Sequence, residues 1–189
     1  NNIIFMNKYI KFIFFIIFLI IIAIVINYYN YNDTILYGKT NITKNDDKLF
    51  TLLNKYGRIK DPNKIININS CKLFQFNDIK KYCNQYIIKF YNKNFLNKIA
   101  NMLDISNLYY IDPIIDPLAF VIQLYQEGNY MSYHYDTNYT SGSRFTVVIP
   151  LYYNKYNTSY LYYIDKNSIE RKVNLPLGDF VLYNGDNLL

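Results

Sequence analysis

Three textures of apolar and polar residues follow one another along the chain. The first is an unbroken apolar run from Phe12 to Ile26, FIFFIIFLIIIAIVI. At about 1.5 Å per helical residue the run alone falls short of a roughly 30 Å hydrocarbon core, and its flanks complete it. Lys8 and Lys11 can snorkel on one side, and Tyr9, Tyr28, Tyr29 and Tyr31 place amphipathic rings at both headgroup levels. A cleaved signal peptide would need small residues beyond the run, where the chain reads INYYNYND. The expectation is therefore an uncleaved, single-pass signal anchor within residues 1–30. The basic flank before the span sets the N-terminus in the cytosol and the remainder in an endoplasmic-reticulum-like lumen or outside the cell.

The second texture has helical periodicity. Residues 31–45 are polar, Asn-rich and aperiodic, and read as a stalk. DDKLFTLLNKYG then predicts a short helix ending at Gly57. Apolar positions at Ile79, Tyr82, Cys83, Tyr86, Ile87, Phe90 and Tyr91 repeat at helical spacing, predicting an amphipathic helix from Asn77 or Asp78. FLNKIANML continues it after a break near Asn92–Asn94. Asp112-Pro113 and Asp116-Pro117 forbid helix and mark a rigid turn. Residues 46–117 are thus expected to be a helical support.

The third texture, residues 118–189, is β-like. AFVIQLY, YMSYHYD, RFTVVIPLYY, SYLYYI and DFVLY are short runs rich in β-branched and aromatic residues, separated by Gly, Asn, Asp and Ser. Such spacing signals a β-sandwich or barrel. The fold class expected is mainly β with N-terminal helices.

Composition narrows the function classes. With 51% apolar residues in 189, the chain is no disordered segment. Two cysteines exclude a disulfide-dense miniprotein or a Cys-based zinc module, and leave a Cys71–Cys83 disulfide in an oxidising lumen open. The net charge of +6 is unevenly spread: residues 1–100 hold fifteen cations against five aspartates, and residues 101–189 hold five against nine acids. Only Arg58, Arg144 and Arg171 are arginines, too few for base reading, so no nucleic-acid partner is expected. Asn32, Asn41, Asn138 and Asn157 lie in glycosylation sequons.

The candidate chemistry centres on the sole histidine, in Tyr133-His134-Tyr135-Asp136. Residues i and i+2 of a strand share a face, so His134 and Asp136 can converge. One imidazole and one carboxylate are two corners of the facial triad of non-haem Fe(II) oxygenases. Taken alone, a surface histidine beside a turn aspartate gives the same pattern.

The wider context carries more. From Tyr125 to Asn154 the chain reads YQEGNYMSYHYDTNYTSGSRFTVVIPLYYN. An aromatic strand with Tyr125 and Gly128 leads to H-x-D, then Arg144 and Thr146 open a long apolar strand. Leu175-Pro176-x-Gly178-Asp179-Phe180 and Gly185-Asp186-Asn187-Leu188-Leu189 follow. Residues 110–189 resemble the core of the 2-oxoglutarate/Fe(II)-dependent dioxygenases of the prolyl 4-hydroxylase type. The resemblance implies a double-stranded β-helix, or jelly-roll, core. It makes His134 and Asp136 the metal-ligating and catalytic residues, and Tyr125 and Thr146 candidates for contacting 2-oxoglutarate. The implied cofactors are Fe(II) and 2-oxoglutarate, with ascorbate, and the implied substrate is a peptide or protein, hydroxylated on a prolyl side chain. Arg144 is expected to pair with a carboxylate at a strand start.

Two departures stand out. The family's Gly-Gly-Glu-Thr stretch is replaced by Asn157-Thr158-Ser159-Tyr160-Leu161. The family's distal His and a basic residue for 2-oxoglutarate would come just after Leu189, so the core is expected to be incomplete and this stretch inactive by itself. The alternative is a non-catalytic jelly-roll binding domain at the membrane surface with a degenerate metal site.

Overall fold

A computed structural model describes residues 35–59, 71–132, 134, 136, 143–153, 160–165 and 167–185. The apolar run 12–26 lies outside them, as do Asn32, Asn138 and Asn157. Among the described residues no helix is long and apolar enough to cross a membrane.

The helices begin where side chains can cap them. In α1 (Asp47–Tyr56), Asp46 caps the start by accepting the Leu49 N–H at 2.8 Å. Gly57 closes it in an extended conformation, its N–H donating to the Leu53 carbonyl. The long helix expected from residue 77 is three pieces: α2 (Phe76–Tyr82), α3 (Gln85–Phe90) and α4 (Lys93–Leu103). The break at Asn92 lies where the sequence puts it, and one side chain makes it. Asn92 Nδ2 donates to the carbonyls of Ile88 and Lys89, closing α3, while its Oδ1 accepts from Asn94 and Phe95 to open α4. The earlier break, at Cys83–Asn84, interrupts an apolar spacing that runs on unbroken in the sequence. Periodicity reports which face is buried, and that face is kept across the kink. Asp104 ends α4 in the left-handed region, at φ 53°.

The strands are all paired antiparallel. One sheet has the order β1 (Leu36–Lys39), β8 (Asp179–Asn184), β5 (Phe145–Val148). A second runs β2 (Arg58–Ile59), β3 (Lys72–Phe74), β4 (Ile122–Leu124), and β6 (Leu161–Ile164) pairs with β7 (Glu170–Val173) as a hairpin. Among the described residues these make a mixed antiparallel fold with helices, without a closed barrel.

Four expectations need correction. The stretch read as a stalk contains β1, whose Leu36 lies opposite Leu182; four residues are too few to rise above the Asn-rich composition around them. The boundary drawn at 117/118 is crossed by a sheet and a core, because β4 pairs with β3 and Ile122 and Leu124 pack with Leu49, Leu53, Ile79 and Phe90. The YMSYHYD run is not a strand at its described positions, 130–132, 134 and 136. Finally, β2, β3 and β7 were not expected: β2 and β3 are short strands within the stretch read as helical support, and Glu-Arg-Lys-Val buries Val173 alone, so it shows no alternating apolar signal.

Two clusters sandwich β8. Phe180 and Leu182 pack on Ile99 and Leu103 of α4, with Phe145 and Val147 beside them. On the opposite face Val181 and Tyr183 pack with Val173, Val148, Leu161 and Tyr163. Cys71 and Cys83 are buried thiols, and no disulfide joins them.

Candidate functional site

The site grows from the register of β5 on β8. Thr146 stands directly opposite Tyr183, and Val148 opposite Val181. Residues facing each other across an antiparallel pair project to one side, so two hydroxyls emerge together. Both reach the same atom. Thr146 Oγ1 donates to Oδ2 of Asp136 at 2.5 Å, and the Tyr183 hydroxyl donates to it at 3.3 Å.

Gly185, just past β8, lets the backbone of Asp136 come close. A Cβ there would lie 2.9 Å from the Asp136 carbonyl oxygen and 3.2 Å from its Cβ. The Gly185 N–H donates to the Arg144 carbonyl at 2.7 Å, tying the end of β8 to the start of β5.

His134 completes the arrangement. Its Nδ1 is 2.9 Å from the Ser132 carbonyl, which can only accept, so Nδ1 carries the proton. In the neutral ring Nε2 is then a lone-pair donor, and it faces Oδ1 of Asp136 at 3.6 Å. That separation exceeds a hydrogen bond. Two lone-pair atoms at this distance suit a shared cation, since two bonds of about 2.0–2.2 Å each can reach across it. With the ring doubly protonated, the same pair is an ion pair. In either state each donor's far atom is held: Nδ1 by a carbonyl, Oδ2 by two hydroxyls. This is the arrangement that orients metal ligands.

The electrostatics keep Asp136 anionic. Burial works to raise its pKa, but the approach of His134, the hydrogen bond from Thr146 and the charge of Arg144 outweigh it. The carboxyl is held below the usual carboxylate range. Burial, reinforced by the Asp136 charge, pushes the Tyr183 hydroxyl up, so it stays a donor. Tyr125 is pushed up chiefly by burial, then by Cys71 and Asp136.

The structure therefore brings His134, Asp136 and Thr146 together, and gives Thr146 the task of holding Asp136. Tyr125 feels Asp136 electrostatically, while its hydroxyl donates to Gln123 Oε1 at 2.7 Å. Arg144 pairs with a carboxylate as expected: Nη1 lies 3.1 Å from Asp116 Oδ2, linking the Asp-Pro turn to β5. Among the described residues no three His, Cys, Asp or Glu side chains gather as a metal site. Sequence alone assigns no role to the side chain of Tyr183, the missing side chain of Gly185 or the carbonyl of Ser132. Only the pairing of Tyr183 with Thr146 singles it out from 23 tyrosines. No protein-family model, curated protein or solved structure matches the chain.

Proposed function

We propose that this chain carries the core of a membrane-anchored dioxygenase that uses Fe(II) and 2-oxoglutarate to hydroxylate a peptidyl, in the first instance prolyl, side chain. The observation that carries the reading is the His134–Asp136 pair, facing at 3.6 Å with the far atom of each held in place. An imidazole nitrogen and a carboxylate oxygen are the donor types such a site takes, and both fit one divalent ion. Iron, when bound, supplies oxygen activation coupled to decarboxylation of 2-oxoglutarate, assisted by ascorbate. His134 and Asp136 bind and orient, and Thr146 and Tyr183, the latter on the buried strand β8, fix the carboxylate. A third ligand, an imidazole, is placed after Leu189 by the resemblance alone.

On this reading β1, β8 and β5 form one wall of a double-stranded β-helix, and the β6–β7 hairpin, packed on Val181 and Tyr183, starts the opposite wall. The domain faces the lumen or exterior behind the anchor at 12–26. Protease treatment of sealed microsomes tests that orientation: residues 35–189 should be protected, and digestion from the cytosolic side overturns it.

The activity is tested by 2-oxoglutarate decarboxylation in the gene product carrying the third imidazole. His134→Ala and Asp136→Ala should each bring Fe(II)-dependent turnover to background. Near-parental turnover in either variant overturns the ligand assignment. Parent protein that binds a peptide without turnover supports the non-catalytic binding domain instead.

A further inference from the structure

A carboxylate ligand has two oxygens and a free torsion, and a mononuclear centre works only if one oxygen is kept where the metal needs it. Asp136 does not sit in one of the described strands, so its aim has to come from outside its own segment. The face of β5 and β8 beneath it shows how. The pair Val148–Val181 is aliphatic and suits the packing there, with Leu161 and Val173 against it. The next pair along, Thr146–Tyr183, has the same surroundings on that face but bears two hydroxyls. Both are directed at Oδ2, at 2.5 and 3.3 Å, and Oδ1 is turned to His134. Tyr183 is 4% exposed, so this hydroxyl is not there to meet solvent. A buried hydroxyl needs a partner, and a buried anion needs donors; the pair answers both requirements at one oxygen.

We propose that Thr146 and Tyr183 act together as positioning residues, a cross-strand clamp that occupies Oδ2 of Asp136 and commits the side chain to present Oδ1 to a divalent cation shared with His134. Gly185 serves the same clamp by keeping clear the space into which Asp136 settles. The inference rests on the metal reading of His134 and Asp136 given above.

The probe is Co(II) added to the 189-residue chain, read by proton NMR at the ring of His134. One histidine in the chain means one set of ring signals, so even weak binding is measurable without turnover. In the parent chain Co(II) should shift and broaden those signals, and Asp136→Ala should abolish the effect. Thr146→Val and Tyr183→Phe should each raise the Kd about tenfold, whereas Thr146→Ser, which keeps the hydroxyl, should stay within about twofold of the parent. Should Thr146→Val fail to fold, Tyr183→Phe, which keeps the buried ring, decides. If Co(II) leaves the parent ring untouched, or Asp136→Ala responds like the parent, the metal reading falls and the clamp with it. If Asp136→Ala loses the response while Thr146→Val and Tyr183→Phe keep the parental Kd, the metal pair stands and the clamp is overturned.

Discussion

The two faces of β8 are buried alike and employed differently. Phe180 and Leu182 meet Ile99 and Leu103 of α4 through hydrocarbon, with the Lys98 ammonium over the Phe180 ring, and neither has measurable exposure. Val181 and Tyr183, on the other face, are as well covered, but that face ends in a hydroxyl pair gripping a carboxylate. Burial on the α4 side is a source of stability. Burial on the Asp136 side is a setting that raises the cost of every unmet charge, so that each donor to Asp136 counts. Mutation should separate the two faces, with large stability losses on the first and small ones on the second.

Phe180→Ala is expected to have the largest effect, about 3–5 kcal/mol in denaturant unfolding. A loss below about 1 kcal/mol would show that α4 is not held by this face. Gly38→Ala comes next. Gly38 lies opposite Phe180 in the β1–β8 register, and a Cβ there overlaps the Phe180 ring. Overpacking of about 1–3 kcal/mol should follow, and most of it should vanish when Phe180 is already Ala. Equal costs in both backgrounds would refute the overlap. Tyr183→Phe, on the other face, should cost only about 1 kcal/mol of stability, because it deletes one long hydrogen bond and keeps the ring.

The smallest effect is silent near neutrality. Burial, followed by the Asp46 charge, pushes the Cys83 thiol from its ordinary 9.0 up to about 11. The unfolded chain therefore gives up this proton first. The contribution is present in full below pH 9 and is lost as pH rises toward about 11. Unfolding midpoints taken across that window should fall less steeply in Cys83→Ala than in the parent, and parallel curves would argue against it.

What could be read from the sequence was what is local. Helix α1, the break at Asn92 and the Asp-Pro turn each announce themselves within a few residues, through caps and forbidden conformations. The convergence of His134 and Asp136 was anticipated on the wrong ground: a strand was expected to bring them to one face. The described residues of that run are not strand, and Asp136 is held by Thr146 and Tyr183 of other segments. By contrast, β1 holds no fully buried residue and β7 only Val173, too little pattern to detect, and their identity as strands lies in partners elsewhere. Tyr183 was illegible for the same reason. Its role depends on standing opposite Thr146, and register is a property of two segments. Arg144 shows the halfway case: a carboxylate partner was foreseeable from the strand start, but Asp116, in the Asp-Pro turn, was not.

The pairing of β1 with β8 also dictates when this domain can form. Lys39 and Asp179 meet across 140 residues of chain, which at about 5–20 residues per second takes about 7–28 seconds to synthesise. Throughout that interval β1 lacks the strand it pairs with, and from their own synthesis onward Ile99 and Leu103 lack Phe180 and Leu182. The nascent chain thus carries an uncovered apolar helix face and a bare strand until almost its last described residues emerge, and closing so long a loop favours slow folding. Shortened versions that stop before β8 would keep that state permanently, and their expected fate is aggregation or capture by chaperones.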